Sequence, residues 1–118
     1  MIQNVSEYLK HIKDYIIGYE KISVEDKKRF GEVFTPQSLV EEMLDLYPEH
    51  IWTDETLKWL DPCCGVGNFE IAIIERYMEG LKTKFPDDWQ RFEHILKNMI
   101  YYGDIKSIYG IAYRKIFK

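Results

Sequence analysis

Cysteine is scarce in this chain of 118 residues: only two occur, and Cys63 and Cys64 are neighbours. Adjacent cysteines bridge only with strain, so no structural disulfide is expected and both are read as reduced thiols. No Cys/His cluster accompanies them, since His11, His50 and His94 are scattered, and no metal site is expected. Long apolar runs are missing too: the longest pure runs, such as Ile71 to Ile74, fall well short of the ~20 residues that a membrane-spanning helix needs. The opening "MIQNVSEYLKHIK" has no basic start, apolar block and small cleavage residues, so no secretory leader and no membrane partner are expected, and the cytoplasm is the expected location. Positive charge is in the minority, with 16 Lys and Arg against 20 Asp and Glu, a net charge of −4 and a pI near 5.4. That balance argues against a free-standing nucleic-acid binder, because phosphate contacts need clustered cations; "KKR" at Lys27 to Arg29 and "YRKIFK" at the end are short. The four prolines, Pro36, Pro48, Pro62 and Pro86, are never adjacent. What remains is ordinary globular composition, 46% hydrophobic and 31% charged, for a single domain without repeats or linkers.

Val5, Leu9, Ile12, Ile16 and Tyr19 recur at helical steps, with Tyr8 and Tyr15 widening the stripe, which predicts an amphipathic first helix. Ser23 and Asp26 resemble a short capping pair before a charged turn. Thr35 is expected to cap the next helix and Pro36 to take its first position, with Leu39, Val40, Met43, Leu44 and Tyr47 apolar and Pro48 as the stop. Leu57, Trp59 and Leu60 lead into Asp61-Pro62 as a buried strand, and "CCGVGN" has the glycine spacing of a strand-to-helix loop. A helix from about Asn68 to Leu81, a loop "KTKFPDD", a helix marked by Trp89, Phe92, Ile95, Leu96 and Met99, and a strand in "NMIYYGD" follow. A last helix is expected in "KSIYGIAYRKIFK", weakened by Gly110. This order is the opening of an α/β doubly wound fold, in which ligands sit outside the carboxyl ends of parallel strands.

Gly65 and Gly67 allow positive φ and remove Cβ atoms from the path of a ligand. A dinucleotide fingerprint would need a third glycine where Glu70 stands, so a pyrophosphate cradle is disfavoured. Asp61 at the strand end would repel phosphate but suits an ammonium or sulfonium group. Asp104, after the second strand, is placed to accept hydrogen bonds from two ribose hydroxyls. The two acids together describe S-adenosylmethionine.

"DPCCGVGNFE" resembles the D-P-x-C-G-x-G-x-F signature of adenine-N6 DNA methyltransferases of restriction–modification systems, and "GEVFTP" resembles the G-x-x-F-T-P motif that precedes it there. The pair is more specific than either half, and the resemblance runs from about Arg29 to the end. It implies that Phe34, Thr35 and Pro36 fold over the methionine end of the cofactor, that Asp61, Pro62, Cys64, Gly65, Gly67 and Phe69 pass beneath it, and that Asp104 with Ile105 takes the ribose. It also implies a division into a helical lead-in with the F-T-P motif, residues 1–50, and the first two βα units of a Rossmann-like methyltransferase sheet, residues 51–118, as one incomplete unit.

Family members polarise the target amine with an Asn- or Asp-Pro-Pro-aromatic tetrapeptide, which these isolated prolines cannot form. A third strand with its acid and a basic target-recognition region are also absent, and Lys106 replaces an acid that commonly follows the ribose aspartate. The resemblance therefore implies a cofactor-binding part that is inactive alone, meets DNA only within a complete enzyme, and associates with a complementary methyltransferase chain or with itself. The alternatives are a non-catalytic binding or interaction module, or part of a protein-glutamine or RNA methyltransferase; a nucleotide-dependent oxidoreductase is the weakest.

Overall fold

The computed structural model describes residues 4–22, 36–61 and 67–102. Helix α1 spans Val5–Ile22 and opens on Asn4, whose Oδ1 accepts the Glu7 amide at 2.8 Å, an Asn-x-x-Glu cap. Val5, Leu9, Ile12 and Ile16 are buried as their spacing predicts, but Tyr15 is 48% exposed and does not widen the stripe. The short helix α2, Gln37–Leu44, begins one residue later than expected. Pro36 is the extended cap residue (φ −61°, ψ 149°), and its carbonyl accepts from the amides of Leu39 and Val40 at 3.1 and 3.0 Å. Only Val40 and Leu44 of the apolar stripe are buried; Leu39 and Met43 are 44% and 43% exposed. The helix also stops well before Pro48. Leu46 and Tyr47 bond back three residues, and Pro48, which disfavours helical geometry in its predecessor, instead caps a 3₁₀ turn, Glu49–Thr53.

Strand β1, Trp59–Asp61, starts two residues later than expected and ends on the predicted aspartate. Helix α3, Asn68–Gly80, and helix α4, Asp88–Asn98, then return the chain to β2, Ile100–Tyr102. The Asp87 side chain caps α4 by accepting the Gln90 amide at 2.9 Å. The strands are parallel, with Trp59 opposite Ile100, Leu60 opposite Tyr101 and Asp61 opposite Tyr102. Among the described residues these are the two strands of one sheet. That is a mixed arrangement of helices and a small parallel sheet, with fewer strands than a doubly wound fold requires.

Helix α3 is the hub. Helices α1, α2 and α4 and the 3₁₀ turn all pack on it, so Ile71, Ala72, Ile73, Ile74 and Tyr77 are buried on several sides of the helix. Trp52 stacks on Trp59 (5.5 Å between centroids, 11°) and meets Tyr77 edge-on, while Trp59 Nε1 donates to the Tyr77 hydroxyl at 2.9 Å. Arg76 of α3 binds Glu41 at 2.7 Å and Asp45 at 2.8 Å, and also donates to the Glu41 carbonyl, which fixes the far end of α2 on α3. Lys13 and Glu75, 2.9 Å apart, join α1 to the same helix.

The register places Leu60 and Tyr101 on one face of the sheet and Trp59 and Ile100 on the other. The second face is covered by the helices. The first is open, with Leu60 73% and Tyr101 43% exposed. The Ser23–Asp26 pair and the helix expected in the last segment lie outside the described residues.

Candidate cofactor site

A pocket of about 420 Å³ opens along β1 and past its carboxyl end. Met43 and Leu44 of α2 and the following Leu46 and Tyr47 form one wall. Trp59, Leu60 and Asp61 of β1 form the second, and Phe69, Glu70 and Ile73 of α3 the third, with Ile100 and Tyr101 of β2 at the side. Its volume falls in the range of small-molecule sites, roughly 300–1,000 Å³.

Glu70 stands out in this apolar setting. An acid in the first turn of a helix usually faces solvent and complements the helix dipole. Here α3 is enclosed by its neighbours, and the Glu70 side chain is 1% exposed. Neither carboxyl oxygen finds a partner at good hydrogen-bonding geometry. Burial first, and then the proximity and charge of the Asp61 carboxyl, push the acid from its ordinary 4.5 up to about 9. Glu70 is therefore protonated at neutral pH. Glu70 was visible in the sequence only as the residue that breaks the three-glycine pattern; the signal for its burial is the unbroken apolar run after it, Ile71 to Ile74.

Of the residues expected at the cofactor, Asp61 and Phe69 line this pocket. Gly67 precedes α3 with φ 100° and ψ 28°, a left-handed conformation that glycine alone adopts cheaply, so the loop enters the helix at a backbone angle its residue type permits. Pro36 does not line the pocket; it lies at the opposite end of α2. The beginnings of α2 and α3 meet elsewhere, where Gln37 and Asn68 line a second cavity of about 240 Å³ together with Lys10 and Lys13 of α1. Gln37 Nε2 is buried without a hydrogen-bond partner. The elements that carry the two sequence motifs thus approach each other through the residues just after Pro36 and Gly67. Phe34, Thr35, Pro62, Cys64, Gly65, Asp104 and Ile105 lie outside the described residues. Among the described residues no group of His, Cys, Asp and Glu could hold a metal ion, and no helix is long and apolar enough to cross a membrane.

Residues 5–107 match the family profile of the N-6 DNA methylases. The chain belongs to the N-6 DNA methylase family. It is similar to an uncharacterized adenine-specific methylase of Mycoplasma pneumoniae, with 41% identity over 73 residues, which cover 59% of this chain and 17% of that protein. It is also similar to the Type II methyltransferase M.VspI of Vibrio sp. (strain 343), with 33% identity over 57 residues, covering 48% of this chain and 13% of that one. The chain thus spans less than a fifth of the length of these two relatives. No solved structure matches it.

Proposed function

We infer that this chain is the S-adenosylmethionine-binding portion of a site-specific adenine-N6 DNA methyltransferase of restriction–modification type, built on the first strands of a doubly wound sheet. The observation that carries the reading is the pocket beside Asp61 at the carboxyl end of a parallel strand, next to a helix entered through left-handed Gly67. The donor set fits the cofactor: carboxyls suit its ammonium and sulfonium charges, and aromatic rings at Tyr47, Trp59 and Phe69 suit a cation on an apolar wall. Bound there, S-adenosylmethionine supplies an electrophilic methyl group. Asp61, Gly67 and Phe69, with Phe34, Thr35, Pro36, Pro62, Cys64, Gly65, Asp104 and Ile105, would bind and orient it. The similarity of the chain to an adenine-specific methylase and a Type II methyltransferase supports the same reading.

A binding titration tests it. The chain is expected to bind S-adenosylmethionine or S-adenosylhomocysteine with a micromolar or weaker constant. Gly67→Val is expected to abolish binding, because a β-branched residue is strained at φ 100° and its Cβ enters the ligand path. Unchanged affinity in that variant would remove the pocket assignment, and no binding by the parent chain would favour a non-catalytic interaction module.

By itself the chain is expected to transfer no methyl group to DNA, since its separated prolines provide no amine-polarising tetrapeptide and its charge offers little phosphate attraction. Incorporation of labelled methyl into adenine by the purified chain would place the catalytic group among residues not assigned to it. DNA is then a partner only of the complete enzyme. The open sheet face at Leu60 and Tyr101, beside an 85% exposed Leu46, is the surface that the remainder of such an enzyme would cover. Without that cover the chain is expected to self-associate, which sedimentation at low micromolar concentration measures; a sharp monomer insensitive to dilution would contradict this.

A further inference from the structure

Two carboxyl groups share the cofactor pocket, and only one of them had a sequence motif to announce it. Glu70 is almost wholly buried, and neither of its oxygens makes a hydrogen bond of good geometry to a described residue. Native interiors rarely leave such atoms unsatisfied, because burying a polar group without a partner forfeits its hydration. Among the described residues that line the pocket none is a cation, and Lys58 next to them is held at the Tyr101 hydroxyl. The described walls contribute Asp61 from β1, the phenols of Tyr47 and Tyr101, and apolar Met43, Leu44 and Ile100, with no Lys, Arg or His. Glu41 of α2 and Asp45 just after it are both engaged by Arg76. The described lining therefore supplies no counter-charge for a Glu70 carboxylate, whereas a ligand bearing positive charge would.

We propose that Glu70 and Asp61 together seat a cationic group of the bound ligand, and that seating the cation expels to solvent the proton that Glu70 holds in the free chain. The inference rests on the cofactor reading above and adds to it a residue, Glu70, and a proton. In the free chain Glu70 holds its proton. With an ammonium or sulfonium group seated beside it Glu70 becomes a carboxylate, and one proton leaves. Phosphate and carboxylate ligands are rejected by the same pair. The neutral acid is the resting form because burial and the second carboxyl both disfavour its charge. Binding is thereby coupled to pH: affinity rises by up to roughly tenfold per pH unit while Glu70 is protonated in the free chain and ionised in the complex.

Calorimetric titration of the chain with S-adenosylmethionine at pH 7.5, repeated in buffers of different ionisation enthalpy, counts the protons. Release of about one proton per ligand is expected in the parent chain, and none in Glu70→Gln, whose affinity is expected to be flat with pH. S-adenosylhomocysteine, which keeps the ammonium and lacks the sulfonium, identifies the seated group: release with both ligands assigns the ammonium, and release with S-adenosylmethionine alone assigns the sulfonium. Binding without proton release, or equal release in Glu70→Gln, overturns the proposal and leaves the cofactor reading standing. Absence of binding by the parent chain overturns the cofactor reading itself, and the proposal with it.

Discussion

Glu70→Gln is expected to stabilise the ligand-free chain at pH 7 by roughly 3 kcal/mol, and the gain is expected to grow with pH. The sign follows from the raised value of about 9 in the folded chain against an ordinary 4.5. Below pH 4.5 the acid is protonated whether the chain is folded or not, and its burial as a neutral group is fully compatible with folding. Between 4.5 and 9 the unfolded chain ionises while the folded chain holds its proton, so stability falls by about 1.4 kcal/mol for each pH unit. Above 9 the folded group ionises as well and the loss levels off. Glutamine keeps the shape and never ionises, so the variant lacks this slope. Urea unfolding of both proteins at pH 5, 7 and 8.5 measures it; a stability difference that does not change with pH would show that Glu70 is ionised in the folded chain.

Gly80→Ala is expected to lose about 2–4 kcal/mol, opposite to the usual result of replacing glycine by alanine inside a helix, which stabilises by up to about 1 kcal/mol. Gly80 is the last residue of α3. A Cβ added there would overlap the carbonyl group of Trp52, and the nearest yielding atom, the Trp52 Cβ, lies at 3.4 Å. The 3₁₀ turn cannot retreat freely, because the Trp52 ring is wedged against Trp59 and Tyr77 and lies under the Arg76 guanidinium, 5.2 Å from its centroid. Moving the turn breaks this aromatic set. Thermal unfolding of the variant gives the answer, and a melting temperature at or above that of the parent would mean that the turn yields without loss.

Gly80 also shows what a sequence conceals. Nothing near "EGLK" announces that the backbone of a segment 28 positions earlier rests on that residue, since close approach is decided by packing between elements. The same holds for Glu70, an ordinary first-turn acid until four elements close around its helix. Features set by local rules were easier to read. The four-residue stripe of α1, the helix starting at Asn68 and the strand ending at Asp61 follow from periodicity and from glycine, and they stand where expected. Pro36 was misplaced by one residue because a proline suits both the cap and the first helical position, its φ being the same in each. The 3₁₀ turn at Glu49–Thr53 was missed because five residues are too few for a periodic pattern. Leu39, Met43 and Leu60 read as interior residues by type, but whether an apolar side chain is covered depends on what else is packed against it, and on these faces the described residues supply little. In the pocket, Asp61 and Phe69 were legible from the motif, whereas its α2 wall was not, because Met43 to Tyr47 reach it only through the Arg76 bridge that turns α2 onto α3.

The parallel pairing of two three-residue strands has a kinetic meaning. Their ladder joins Trp59 to Ile100, and so encloses a long segment that carries α3 and α4. Closing such a loop in a disordered chain is slow, because its entropy is lost before any strand contact is gained. The α3–α4 hairpin shortens that search by bringing Met99 to the amide of Trp59, where they bond at 2.7 Å. The sheet is thus expected to be the last piece to assemble and the first to open, so that its amides exchange faster than those of the α3–α4 hairpin. Anything that clamps β1, whether a ligand at Asp61 or another chain on Leu60, acts on the folding step that the chain itself leaves to the end.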